Sequence, residues 1–293
     1  MSALDPIQIL NTQNTLGEGV LWDWRRSRLW WTDIPRRHLY RYDWHAGTTE
    51  ILATPERVGS FGLVKHSDSL IVAFESGIAL YDPDRKSVDW IARPQEVVPG
   101  IRFNDGRIDR AGRLWCGTMI EGGSHPDGAG LYSVSPGGEL RRHLGGIAIS
   151  NGLCISPDGR LLYFADSPTR TIRVYEMVEP KGTLGPSRVF AQTPAVSFPD
   201  GAAVDADGCM WSAHWGGGCV VRYTPDGHID RTLKVPALQP TCVCFAGSDL
   251  DILCVTSARE GMTEETLRTH PHAGDVFFYR TGAQGLREPE YQP

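Results

Sequence analysis

The chain has 293 residues and a formal net charge of -6, with 22% charged and 41% hydrophobic residues. The acidic balance leaves no basic footprint for nucleic acid, and no apolar run approaches the ~20 residues that a membrane-spanning helix needs. A folded chain of this length buries about 75% of its unfolded surface, enough for a core without disulfide or metal staples.

The chain opens Met-Ser-Ala-Leu-Asp-Pro, which lacks the charged and apolar regions of a secretion signal; the expectation is a cytoplasmic protein with no membrane partner. A first strand is predicted over residues 7–10. A unit then begins that recurs six times: a small or polar pivot residue enters a short apolar strand, and two further strands follow across turns. The first unit has Glu18 as pivot and strands over 23–31 and 38–42; the second has Phe61, 67–74 and 77–81. The third has Asp105, 109–116 and 130–134, and the fourth Asn151, 157–164 and 171–175. The fifth has Asp200, 207–211 and 220–223, and the sixth Thr241, 248–255 and 275–279. Successive pivots lie 41 to 49 residues apart, and glycine follows the first five of them directly.

A period of roughly 40 to 50 residues with several strands per unit predicts an all-β, six-bladed β-propeller. Helical periodicity is confined to one short stretch, 263–270, which excludes the alternation of strands and helices in an α/β barrel. Glycine and proline are spread through the turns and mark no linker, so residues 1–293 are expected to form a single domain, monomeric by default. An incomplete ring exposes a sheet edge. The strand over 7–10 is expected to pair into the last unit and close it.

In a ring, the six pivots converge on the axis. Glu18, Asn151 and Asp200 then supply two carboxylates and an amide oxygen, a hard set suited to one divalent cation. Calcium is placed first, with magnesium, manganese, zinc and ferrous iron left open. Three protein ligands leave coordination positions for water and substrate, which favours catalysis over a structural ion. The plainer alternative is that polar residues beside glycine satisfy strand ends.

The seven cysteines are odd in number and contain no Cys-x-x-Cys pair, so buried free thiols are expected. His214, in Ala213-His214-Trp215-Gly216-Gly217, reads as a hydrogen-bonded structural histidine. No Gly-x-Ser-x-Gly elbow is present to support Ser-His-Asp catalysis.

Several motifs in order then carry a resemblance: Leu16-Gly17-Glu18-Gly19, Arg102-Phe103-Asn104-Asp105-Gly106, Gly117-Thr118-Met119, Ser150-Asn151-Gly152, Phe198-Pro199-Asp200-Gly201 and Val255-Thr256-Ser257-Ala258-Arg259. Together the motifs are similar to those of the senescence-marker/gluconolactonase family, which includes regucalcin and bacterial sugar lactonases. The resemblance implies a six-bladed propeller holding one divalent cation on Glu18, Asn151 and Asp200, and hydrolysis of a small sugar lactone of the gluconolactone, arabinolactone or xylonolactone type. It further implies substrate-binding roles for Arg102 and Asn104, with Asp105 close to the metal and Glu121 as a substrate-contacting acid in a loop that reads as mobile. Asp200 is the first candidate for the base that takes a proton from water, and Asp105 the second. A non-catalytic metal-binding regulatory propeller and a metal-dependent esterase or phosphotriesterase stay open, because fold does not fix function.

Overall fold

The computed structural model describes residues 4–94, 99–180 and 182–293. Six four-stranded antiparallel sheets form the six blades of a β-propeller. Their innermost strands are Gly17–Asp23, Val58–Leu63, Ile101–Ile108, Ser150–Ile155, Phe198–Val204 and Gln239–Ala246. Each inner strand packs on the next and the sixth packs on the first, so the ring is closed around a central channel. The last blade takes its fourth strand from the other end of the chain: Gln8–Leu10 pairs with Val276–Arg280, as the sequence suggested.

The blades are held by apolar contacts. Six clusters of buried side chains fill the six interfaces between neighbouring blades, one cluster to an interface. Aromatic residues contribute the largest of these side chains, since one ring spans the gap between two sheets; Trp31, Trp115 and Trp211 are all fully buried. Two of these tryptophans are also tied to the turn before their strand. Trp115 Nε1 donates to Asp109 at 2.8 Å and Trp211 Nε1 to Asp205 at 2.8 Å, and each aspartate also accepts backbone N–H groups of its own turn.

The outermost strands differ in kind. Thr48–Ala53 and Ile229–Lys234 are almost wholly exposed, so no alternation of apolar and polar residues marks them in the sequence. The one predicted helix is present as Glu264–Thr269, with the Thr263 hydroxyl accepting from Thr266 N at its start. All seven cysteines are free and all but Cys219 are buried.

The inner strands carry the feature that positions the site. In five blades the pairing register slips by one residue at the pivot: between Glu18 and Leu21, Phe103 and Gly106, Asn151 and Cys154, Pro199 and Ala202, and Pro240 and Val243. Such a bulge bends the strand and re-aims the side chains beside it. The second blade is the exception. Its slip lies earlier, between Val58 and Ser60, and its pivot Phe61 packs into the core with Leu21 and Trp30.

After the last blade the chain turns back under the ring. Ala206 N donates to Gln284 O, Gly285 N to Leu250 O, Trp24 Nε1 to Glu288 O, and Tyr291 N to Leu63 O, at 2.8 to 3.2 Å. The buried Tyr291 reaches Ser135 O at 3.0 Å. This tail touches the fifth, sixth, first, second and third blades in turn.

Packing across an interface predicts the cost of opening it. Trp211→Ala removes the largest side chain between the fifth and sixth blades and strips Asp205 of one donor, so it is expected to destabilise by about 3–5 kcal/mol. Urea unfolding followed by circular dichroism measures this as a lowered midpoint. Trp211→Phe is expected to lose less.

Candidate functional site

At the top of the channel the bulges bring polar side chains from four blades together. Asn151 and Asp200 are buried, whereas Glu18 and Asp105 are half-buried. A chain of hydrogen bonds fixes which atom each presents. The Ser167 hydroxyl donates to Pro199 O at 2.7 Å, so it can only accept from Asn151 Nδ2, at 2.9 Å. Asn151 therefore turns its Oδ1 the other way, towards Asn104 Nδ2 at 3.2 Å. Asn104 also donates to Ser150 O at 2.9 Å, and its Oδ1 accepts from Arg102 at 2.7 Å. Every link runs from donor to acceptor, from Arg102 to the backbone beside Asp200.

Arg102 is buried, and its Nε donates to Glu121 at 2.7 Å. Glu121 also accepts two bonds from Arg57, at 2.9 and 2.8 Å, and Arg57 is held in turn by Glu75 at 2.9 and 2.7 Å. The loop that reads as mobile in the sequence is thus anchored at Glu121 by two arginines and by the bond from Glu121 N to Gly100 O at 2.8 Å. Burial works against the Glu121 charge, but the bonds from Arg57 and Arg102 outweigh it and hold the carboxyl below the usual carboxylate range.

The acids on the floor behave in the opposite way. Burial pushes the Glu18 carboxyl up to about 8, helped by repulsion from Asp105. Asp200 is raised well above its ordinary value by burial and then by Glu18 and Asp105. Asp105 is raised less, to about 6, because burial is countered by the N–H groups of Leu153 and Gly106 and by Arg107. Both Asp105 oxygens are engaged, one by Leu153 N at 2.7 Å and the other by Gly106 N at 2.9 Å. Asp200 accepts one backbone bond, from Gly201 N at 3.1 Å, and Glu18 one from Gly19 N at 3.2 Å.

The structure thus places all seven sequence-predicted residues in one connected region. Asp105 is anchored in the wall, while Asp200 and Glu18 keep oxygens without a donor among the described residues. Among the described residues no group of three or more His, Cys, Asp and Glu side chains could hold a metal ion; a set built on Glu18 and Asp200 needs the Asn151 amide oxygen to reach three donors. The donor chemistry fits a hard divalent cation, since like charges crowded away from water are relieved by one. Thr241, the sixth pivot, is used otherwise: its hydroxyl donates to Gly17 O and contacts the Thr256 hydroxyl, bracing the sixth blade to the first.

The sequence model described as SMP-30/Gluconolactonase/LRE-like region matches residues 16–259. The chain belongs to this family. It is 36% identical over 283 residues to the 6-deoxy-6-sulfogluconolactonase of Pseudomonas putida, spanning 96% of each chain. It is 37% identical over 281 residues to the L-arabinolactonase of Azospirillum brasilense, spanning 95% of this chain and 92% of that one. The solved structure of a calcium-binding protein, regucalcin, from Agrobacterium tumefaciens superposes with a TM-score of 0.93 at 30% identity over 100% of both chains.

Sequence reasoning missed several residues that shape this SMP-30/gluconolactonase site. Ser167 links Asn151 of its own blade to Pro199 O of the next, and Arg57 links Glu75 of its own blade to Glu121 of the next. Glu260, exposed just past the strand Ile252–Ala258, adds negative charge that raises Glu18; position relative to a pivot gave no signal for any of the three. His214 has the structural role expected of it: it contacts the Tyr223 hydroxyl at 3.2 Å, and burial holds its imidazole down to about 4.

The raised acids predict a pH dependence in chelated protein. Glu18 has a folded value above its unfolded one, so the folded state binds more protons and stability falls as pH rises towards 8. The half-buried His143 and the buried His214, both held neutral, add stability as pH rises through 6.5 and little beyond about pH 7.5; from about pH 7.5 to 8.5 Glu18 is therefore expected to cost about 0.5 kcal/mol, discounted because water reaches it from the cup. Thermal melts in a chelator should show Tm falling across this window, and Glu18→Gln should flatten the slope.

Proposed function

We propose that this protein is a divalent-cation-dependent lactonase that opens a five- or six-carbon aldonolactone to its aldonic acid. The single observation that carries the reading is the convergence of Glu18, Asn151 and Asp200, from three blades, beside an arginine and an asparagine already ordered by hydrogen bonds. Two relatives above 30% identity over nearly the whole chain are sugar lactonases by name, and these support lactone hydrolysis here. The calcium-binding neighbour supports a cation in the cup.

Glu18, Asn151 and Asp200 would hold the cation, with calcium first among the candidates. When bound, a divalent cation polarises a carbonyl and offsets the charge that develops on its oxygen. The protein's own groups do the rest. Arg102 keeps N–H donors beyond those used by Glu121, Asn104 and Phe103 O, and these suit the hydroxyls of a sugar lactone. Asp200 is the better-placed base, because Asp105 has both oxygens committed to backbone donors. In the reaction Asp200 accepts a proton from the attacking water, the new C–O bond forms at the carbonyl carbon, and the ring C–O bond breaks as the ring oxygen takes up a proton. Binding that orders the lactone on Arg102 and Asn104 lowers the barrier by positioning.

Proton release at neutral pH from a panel of pentono- and hexonolactones, with spontaneous hydrolysis subtracted, tests the reading. Chelation is expected to abolish turnover and a divalent cation to restore it, with a clear preference among sugars. Asp200→Asn should lower kcat by about 10²–10⁴-fold, the range for a lost general base. A protein that binds calcium but leaves every lactone at its background rate would be a cation-binding protein. Turnover confined to simple esters or phosphotriesters would make it a different hydrolase.

A further inference from the structure

One buried ion pair lies outside the reading above. Arg107 is two residues beyond Asp105 on the strand Ile101–Ile108, and it points into the channel beneath the acidic floor. Its NH2 donates to Ala202 O at 2.6 Å and reaches Val243 O at 3.5 Å. Those carbonyls belong to the inner strands of the fifth and sixth blades, two residues after Asp200 and Thr241 respectively. Its NH1 donates to Glu288 Oε1 at 3.0 Å, on the tail that crosses under the ring. Glu288 is itself fixed, since its carbonyl accepts from Trp24 Nε1 at 3.2 Å in the first blade. One guanidinium therefore joins three inner strands and the tail.

A charge buried away from water is costly, and an apolar plug of the same volume would close the channel as well or better. What an apolar plug lacks is direction. A guanidinium offers donors at fixed angles, so two carbonyls and a carboxylate around it are held at set distances. We infer that Arg107 and the tail residue Glu288 form a positioning device for the acidic cup, setting the spacing of the inner strands that carry Asp105 and Asp200. The tail is then part of the working site from the far end of the channel, although none of its residues reaches the cup. The inference rests on the lactonase reading for its kinetic consequence alone; the geometric consequence stands by itself.

The test compares the full-length protein with Glu288→Gln, Glu288→Ala and, as a control in the same tail, Glu290→Gln, which loses only the more exposed ion pair to Arg25 at 2.9 Å. Manganese affinity by electron paramagnetic resonance, amide hydrogen exchange in Phe198–Val204 and Gln239–Ala246, and lactone kcat and KM are measured on each. A partner acting from outside the ligand set typically costs about 10–100-fold in metal affinity or activity. Glu288→Ala is expected to weaken manganese binding by about 10-fold and to speed exchange in both strands, with Glu288→Gln intermediate and Glu290→Gln unchanged. Its kcat should fall with KM little altered. If Glu288→Ala lowers Tm but leaves manganese affinity and strand exchange at the parent values, the pair is only a fastener and the inference is overturned. If the parent protein turns over no lactone while the graded loss of manganese binding and strand protection is seen, the lactonase reading fails and the positioning device stands.

Discussion

The close approach of the inner strands around the channel is the constraint on which the rest depends. At Gly59 an added Cβ would lie 2.5 Å from Phe103 O of the next blade, backbone against backbone, and at Gly201 it would lie 2.6 Å from Cys242 Sγ and 2.9 Å from its Cα. No side chain fits at either point. Strands packed this tightly cannot continue flat, and the register slips relieve the crowding by bending each strand away from its neighbour. The same slip turns the residue beside it towards the axis. Closure of the ring and placement of Glu18, Asn151 and Asp200 therefore follow from the same backbone geometry.

Crowding acids on an axis carries an electrostatic cost that the rest of the molecule contains. Arg102 is the cation that acts most directly on Glu18 and Asp200, and it is shared with Glu121. Below, Arg107 answers to Glu288 as well as to Asp105. The floor is left with more negative charge than its arginines offset, which is the condition under which a cation is welcome. Neutral groups supply most of the order: Arg102 starts the run, and Asn104, Asn151 and Ser167 carry it to Pro199 O, fixing both amides. A satisfied network of this kind holds a unique arrangement in a low-dielectric interior.

The sequence made legible what repeats. Five of the six pivots sit at register slips, and four of them are followed by a glycine that the backbone requires, through positive φ at Gly19 and Gly152 or a clashing Cβ at Gly106 and Gly201; such requirements leave a spaced trace. Three strands of every blade could be read, since they are buried on one or both faces and show runs of β-branched and aromatic residues. In the first five blades the fourth could not, whereas that of the last blade, Gln8–Leu10, could be read over 7–10. Thr48–Ala53 and Ile229–Lys234 are exposed along nearly their whole length, and a strand with no buried face has no pattern to show. Phe61 was misleading for a related reason: glycine follows it, yet its slip falls earlier and its ring belongs to the core. Arg57, Ser167, Glu260 and the tail from 281 onward act across blades, and contacts between distant segments leave no local signature in a single sequence.

The two ends of the channel bear change differently, and this follows from burial. At the rim, Glu121, Glu75 and Glu260 are exposed or partly so, and the Arg57 pairs with Glu75 and Glu121 are of the sort worth about 0–1 kcal/mol each. Replacing one there alters the charge that an incoming ligand meets while leaving the fold nearly untouched. On the floor, Asn151 and Asp200 are buried in a network with few spare acceptors, and a substitution strands its neighbours without partners, at about 1–3 kcal/mol for each buried group left unsatisfied. Two relatives, at 36% and 37% identity, are named for different lactones, a sulfogluconolactonase and an arabinolactonase. Under the proposed lactonase reading, substrate choice in this chain is sought in Arg57, Glu121 and Glu260, where the physical cost of variation is least, and the chemistry in the residues that the bulges turn inward.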